Sequence, residues 1–278
     1  MKIGVFGGDK RMLFAAKAFS EDGCEVAIAG FDSLMSLCEI RVCGIEEAAA
    51  WCDIAVLPVR PITDGCLNTP FSQERIEIRE LLRMLSDKPI FTGCAEQLKP
   101  YSSGEIYDYT IDEGFLYRNA ELTAEGALGI LLNDYEGSVF DAKILITGFG
   151  RIGKMLTRML SALGADVTVA ARKASDRALI SLCGSTAIDY PCVDHGDYDI
   201  VINTVPALII DKCAVDRMKE EVFLIDLASM PGGIDFKRAE GKGLTCIHAL
   251  SLPGKTAPLA AGAIIKDTIM KRISSLSA

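Results

Sequence analysis

"ITGFGRIGKML", residues 146–156, decides how the rest of the chain is read. An apolar run, Lys143–Thr147, leads into Gly148, Gly150 and Gly153 at G-x-G-x-x-G spacing. An apolar pattern at helical spacing, Arg151–Leu163, follows, and another strand pattern begins at Asp166. Strand, glycine turn and helix in that order form the dinucleotide-binding arrangement. Gly148 permits the tight turn, Gly150 lets a pyrophosphate approach the backbone, and Gly153 lets the helix pack on the strand. Phe149, Arg151 and Ile152 complete the loop, whose helix start offers free N–H groups to phosphates. A tight turn without ligand is the alternative reading.

The next strand end selects the cofactor. An NAD site places Asp or Glu about 20 residues on, to accept the ribose hydroxyls. Here "VAARKASDR", residues 169–177, puts Arg172 and Lys173 at that place, with Ser175 close by. Cations there suit a 2′-phosphate and a carboxylate would repel it, so NADP is the expected cofactor. Asp176 reads as a residue of the following helix start.

Working outward, short apolar runs alternate with helical patterns. Strands are expected at Lys2–Phe6, Glu25–Ala29, Asp53–Leu57 and Pro89–Thr92 in the first half. A second set is expected at Lys143–Thr147, Asp166–Ala170, Thr186–Asp189, Asp199–Asn203, Val222–Asp226 and Leu244–Ile247. Helices are expected between them, for example Gln73–Leu85. Near-continuous apolar strands separated by helices mean parallel sheets covered on both faces. The expected fold is α/β, with two doubly wound Rossmann-like domains and a cleft between them. "NAELTAEGALGILLND", residues 119–134, fits a linking helix, and a terminal helix opens at Pro258. Residues 1–118 with the returning segment 257–278 are read as a substrate domain, and 119–256 as the NADP-binding domain.

The chain has 278 residues, half of them hydrophobic, and a formal net charge of −9. That balance speaks against bulk nucleic-acid binding, which needs a basic face. Anionic ligands must be met by local cations. Ten cysteines show no C-x-x-C pair and no zinc-like cluster, so no metal is expected and the cysteines are read as reduced and mostly buried. "MKIGVFGG" reads as a first strand, not a signal peptide, and no apolar run reaches the ~20 residues of a membrane span. A cytoplasmic enzyme is expected.

Two loops follow strands of the second set. "INTVPA", residues 202–207, would carry Asn203, Thr204, Val205 and Pro206 along the cofactor. "DLASMPGGIDF", residues 226–236, would set Asp226, Ser229, Gly232 and Gly233 in the next wall; the alternatives are a plain Pro-Gly-Gly turn and an Asn203 that only ties loops together. His195, in the polar loop "VDHGDYD", reads as a surface residue; His248 is either a proton carrier or a structural histidine. No Ser-His-Asp or Cys-His arrangement stands out, and the catalytic residues are unassigned.

Several motifs together carry a resemblance. They are "GGDKR" at 7–11, "GFD" at 30–32, "LPV" at 57–59, "GFGRIG" at 148–153, "NTVP" at 203–206, "DLASMPGGIDF" and "SLPGKTAP" at 251–258. Nearly end to end, the chain resembles the family of dipicolinate synthase A subunits of spore-forming bacteria. The resemblance implies an NADP-type cofactor and formation of pyridine-2,6-dicarboxylate, either from dihydrodipicolinate or from its hydroxylated tetrahydro precursor of the lysine pathway. It also implies a second, flavoprotein-like B subunit. A homo-oligomer is the default for such domains. A dianionic substrate needs paired donors, for which Arg11, Arg118 and Lys255 are the candidates, with Gly8, Asp9, Gly232 and Gly233 beside them; Asp9 reads equally as the cap of a helix with solvent-facing Lys10 and Arg11, and Lys255 equally as a solvated lysine. Arg60 and Leu259 depart from the family pattern, where a small residue and a lysine are expected. Two other readings stay open: a dehydrogenase of another small hydroxy or amino acid, and a non-catalytic NADP-binding assembly subunit.

Overall fold

The computed structural model describes residues 1–37, 40–101, 104–190 and 193–276. The chain divides into two compact units, Met1–Asn119 with Pro253–Ala278, and Ala120–Leu252.

The first unit runs β1 (Lys2–Phe6), α1 (Lys10–Glu21), β2 (Glu25–Ala29), β3 (Arg41–Val42), α2 (Ile45–Trp51) and β4 (Ile54–Val56). A small antiparallel hairpin, β5 (Ile62–Thr63) and β6 (Cys66–Leu67), precedes α3 (Ile78–Met84), β7 (Ile90–Thr92) and β8 (Ile106–Asp108). The main sheet is parallel, in the order β3-β2-β1-β4-β7-β8. Its strands are apolar on both faces because helices cover both; Ile3, Val5, Phe6, Ala55 and Val56 are fully buried.

The helix α4 (Glu113–Asp134) begins in the first unit and ends in the second. The second unit continues with β9 (Lys143–Thr147), α5 (Arg151–Ala162), β10 (Asp166–Ala170), α6 (Ala174–Leu182), β11 (Thr186–Ile188) and β12 (Ile200–Asn203). Then come α7 (Lys212–Arg217), β13 (Phe223–Asp226), α8 (Phe236–Gly241) and β14 (Thr245–His248). This sheet is also parallel, in the order β11-β10-β9-β12-β13-β14. The two sheets therefore share one doubly wound topology, reversing beside β1 in the first and beside β9 in the second.

The short α9 (Leu252–Thr256) leads into α10 (Pro258–Leu276), which packs on α1 in the first unit. Gly262 makes that crossing close: a Cβ there would lie 2.6 Å from Ala15 N and 2.7 Å from Arg11 O. Ile264, Ile265 and Ile269 of the same helix are buried. Each such side chain contributes about 1.5–3 kcal/mol on burial. Lys266 of α10 pairs with Asp22 at 2.6 Å. Residues 277 and 278 of the expected terminal segment lie outside the described residues.

Several elements differ from the sequence reading. The helix expected at Gln73–Leu85 is shorter, Ile78–Met84. Strands β3 and β8 and the β5–β6 hairpin add to the expected set; each strand has only two or three residues, too few for a pattern. Among the described cysteines only Cys52 is buried, while Cys183 and Cys213 are exposed, which corrects the expectation of mostly buried thiols.

Candidate functional site

The glycine turn leaves β9 in the second unit. Gly148 has φ +97°, a left-handed conformation that an L side chain rarely adopts. A Cβ on it would also lie 2.5 Å from Thr204 Oγ1. Gly153 faces backbone, and its Cβ would lie 2.2 Å from Gly148 O. Gly150 is different. It caps α5 without a side-chain bond, and a Cβ there would meet nothing within 4 Å. Two glycines close the turn and the third leaves open space in front of a helix N-terminus.

That space belongs to a cavity of about 630 Å³, lined by Gly148, Phe149, Gly150, Arg172, Lys173, Thr204, Val205 and Pro206 among others. The structure thus brings eight of the expected cofactor residues around one opening. It adds Lys154, Asp176 and Tyr190, which the sequence reading does not assign to the cofactor. Lys154 stands in the first turns of α5, with its ammonium 5.6 Å from the Phe149 ring centre. Its place four residues after Gly150 is the one hint of this in the sequence. Three cations, Lys154, Arg172 and Lys173, line the cavity with one carboxylate, Asp176, in a chain of net charge −9. Arg177 holds the corner behind them: its guanidinium donates to Ala171 O at 2.8 Å and Arg172 O at 2.7 Å. Burial raises the Tyr190 phenol above its ordinary pKa, with the Arg172 charge opposing.

Other expected contacts are engaged by the fold. Asn203 and Asp226 are fully buried. Asn203 Nδ2 donates to Val205 O at 2.9 Å and to Asp226 Oδ1 at 2.7 Å. Its Oδ1 accepts from Thr147 Oγ1 at 2.8 Å and Val205 N at 3.1 Å. Asp226 also accepts from Ala228 N at 3.0 Å and Gly233 N at 2.7 Å. These bonds tie the ends of β9, β12 and β13 together, so the two side chains hold the cavity wall and do not line it. For Asn203 this is the loop-tying role that its position also allows. Gly232 and Gly233 are likewise buried against this network: a Cβ on Gly232 would lie 2.7 Å from Asp226 Oδ2, and one on Gly233 2.3 Å from Asn203 Nδ2. Arg151, Ile152, Gly153, Ser175 and Ser229 are not among the lining residues; Ser175 and Ser229 are exposed.

The two histidines differ in setting. His248 Nε2 lies 3.1 Å from Ala228 O, and its ring packs on Phe236 at 5.1 Å. His195 is buried, correcting its reading as a surface residue, because the loop folds back on α7. Burial, then the Arg217 charge, lowers its pKa below 6.5.

In the first unit the β1–α1 turn is built without an open glycine. Gly8 N donates to Asn68 O at 2.7 Å, and a Cβ on Gly8 would strike Met12 at 2.6 Å. Asp9 caps α1 and takes a bidentate bond from Arg11, as close as 2.7 Å. Arg11 is thereby neutralised, with 12% of its side chain exposed. Arg118 pairs with Asp267 at 3.0 Å. Of the three expected anion anchors, Lys255 alone is exposed and without an ion pair among the described residues. Among those residues no group of His, Cys, Asp or Glu is placed to hold a metal, and no helix is long and apolar enough to cross a membrane.

Comparison with known proteins converges with these motifs. Residues 2–100 match the N-terminal domain of the dipicolinate synthase A subunit. The dipicolinate synthase A subunit of Bacillus subtilis (strain 168) is 29% identical over 289 residues, spanning 100% of this chain and 97% of that protein. Its crystal structure superposes with a TM-score of 0.86. The chain is an end-to-end relative of the dipicolinate synthase A subunit. The corresponding crystal structure from Bacillus halodurans agrees, with a TM-score of 0.88 at 28% identity, covering 98% of this chain and 97% of that one. A transhydrogenase from Sinorhizobium meliloti, 16% identical with a TM-score of 0.74, covers 98% of this chain and 94% of its own, and shows the fold alone.

The motifs that carry the family resemblance have structural reasons here. In "DLASMPGGIDF", Asp226 gathers the backbone of Ala228 and Gly233, which only glycine can bring so near. In "SLPGKTAP", Gly254 rests on the first unit's ion pair; a Cβ there would lie 2.7 Å from Asp9 Oδ2.

Proposed function

We propose that the chain is the dehydrogenase subunit of a dipicolinate synthase. The second unit binds NADP, and the first unit carries the groups that recognise the substrate. The observation that carries this reading is one cavity that Lys154, Arg172 and Lys173 line together with Gly150, an open glycine at a helix start. Open backbone suits a pyrophosphate, and the surplus of cations suits a 2′-phosphate. Similarity to the dipicolinate synthase A subunit supplies the substrate class.

In this reading dihydrodipicolinate loses a hydride to NADP⁺ and a proton to solvent, giving NADPH and pyridine-2,6-dicarboxylate. When the hydroxytetrahydro precursor is supplied, one water leaves first. Aromatisation drives the step forward, so the protein's task is to position the reactants and exclude water. The nicotinamide supplies the hydride acceptor when bound. Asn203 and Asp226 hold the wall of its cavity in place, and Gly150 leaves room for its phosphates. A flavoprotein-like B subunit, a homo-oligomeric state, a cytoplasmic location and a role in sporulation belong to the same proposal.

The test uses the purified chain with NADP⁺ and freshly made hydroxytetrahydrodipicolinate, followed by ultraviolet absorbance. Equal amounts of NADPH and dipicolinate are expected. Nucleotide binding without turnover, both alone and with the flavoprotein-like partner added, would overturn the proposal in favour of an assembly subunit.

A further inference from the structure

The first unit engages most of the cations expected to meet a dianion. Arg11 is held bidentately by Asp9, and Arg118 by Asp267. One arginine at the carboxyl ends of the strands is not so held. Arg60 follows β4, beside the point where the strand order reverses between β1 and β4, which is where ligands bind in open α/β sheets. Its side chain is exposed and has no hydrogen bond or ion pair among the described residues.

Its backbone, by contrast, is fixed. Asn68 Nδ2 donates to Arg60 O at 3.1 Å, and Asn68 N donates to Pro61 O at 2.9 Å. The same Asn68 receives Gly8 N on its carbonyl. The segment after β6 thus clamps the Arg60 backbone to the β1–α1 turn. Pro58, two residues earlier, closes the contact, 3.0 Å from where a Gly8 Cβ would be. Burial raises the Cys94 thiol above its ordinary pKa, the Asp108 charge adds to this and the Arg60 charge opposes it. Asp108 is already bonded to Ala95 N at 2.8 Å, Thr110 N at 2.8 Å and Thr110 Oγ1 at 2.6 Å. That neighbouring carboxylate has its own donors, and the Arg60 guanidinium keeps its full set.

We propose that Arg60 binds one carboxylate of the dicarboxylate substrate through its planar guanidinium, a contact that this chain adds where the family pattern has a small residue. The proposal rests on the reading of the chain as a dipicolinate-forming dehydrogenase. A guanidinium presents two parallel N–H donors to a carboxylate, a geometry that an ammonium cannot reproduce.

The experiment compares wild type, Arg60→Ala and Arg60→Lys. It measures KM for substrate, KM for NADP⁺, and calorimetric affinity for pyridine-2,6-dicarboxylate against pyridine-2-carboxylate. Arg60→Ala is expected to raise the substrate KM about tenfold or more and to weaken the preference for the dicarboxylate, with the NADP⁺ KM within about twofold of wild type. Arg60→Lys is expected to recover only part of the loss. An unchanged substrate KM and unchanged preference in Arg60→Ala, with wild type active, would overturn the role of Arg60 alone. A wild-type protein that neither turns over nor binds the dicarboxylate would overturn the functional reading and this proposal with it.

Discussion

Two glycines of one loop, Gly150 and Gly153, are expected to fail in opposite ways when changed to alanine. Gly150 has φ −74° and ψ −166°, which alanine adopts freely, and its Cβ would meet nothing within 4 Å. Alanine is a poorer helix cap than glycine by up to about 1 kcal/mol. A less flexible unfolded chain returns about 0.4–1 kcal/mol. Gly150→Ala should therefore stay within about 1 kcal/mol of wild-type stability. The same methyl enters the space assigned to the pyrophosphate, so NADP⁺ affinity should fall about tenfold or more. Gly153→Ala places a Cβ 2.2 Å from Gly148 O, a backbone atom that cannot rotate away. Helix and strand must separate, at about 1–3 kcal/mol, the usual cost of overpacking. Urea unfolding and calorimetric titration with NADP⁺ measure both quantities. Equal loss of stability in the two variants, or wild-type NADP⁺ affinity in Gly150→Ala, would refute the separation of packing glycines from the ligand glycine.

Asp226→Asn keeps the shape of the side chain but leaves one acceptor oxygen for donors that now approach two. Either amide orientation sets N–H against N–H, so urea unfolding should show a loss of about 3 kcal/mol; a loss under about 1 kcal/mol would mean the network is not needed. His195 predicts a pH effect with a definite sign. Its folded pKa lies below 6.5, so as pH falls through 6.5 the unfolded chain takes up a proton that the folded chain does not. Stability should decline from pH 6.5 toward the folded value, and His195→Gln should flatten that decline in urea midpoints measured against pH. Asp112 and Asp199 act further into the acid range. Backbone and Lys271 hydrogen bonds outweigh burial and hold Asp112 below 3.8; for Asp199, burial is outweighed by bonds from Lys219 and Lys143. Their stabilisation is complete above 3.8 and is lost as pH falls through their lower folded values, so Asp199→Asn should show a shallower acid limb below about pH 4.

The fold class is legible because buried parallel strands announce themselves as apolar runs, as in "KILIT" and "DVTVA". Strands of two or three residues, such as Arg41–Val42 and Ile106–Asp108, carry no such pattern and are made by their neighbours in the sheet. Around the cavity, Gly150, Arg172 and Lys173 can be named from spacing alone. Lys154 and Tyr190 cannot, because they reach the opening from a helix face and from beyond the end of β11. Asn203 and Asp226 read as ligand contacts since they end strands that border the crevice. In three dimensions their polar atoms turn toward each other and toward the backbone. Arg11 shows the same limit: a sequence reveals a cation at a helix start, but not that Asp9, two residues before it, takes its guanidinium. His195 lies in a polar stretch, and nothing local tells that the stretch folds inward.

The most direct test of the cavity as an NADP site is calorimetric titration of one protein preparation with NADP⁺ and with NAD⁺, repeated for Arg172→Ala. NADP⁺ is expected to bind at least about tenfold more tightly than NAD⁺, with most of that preference lost in Arg172→Ala. Equal affinity for the two nucleotides, or a preference for NADP⁺ that survives Arg172→Ala, would contradict the reading of the three-cation cavity as a 2′-phosphate site.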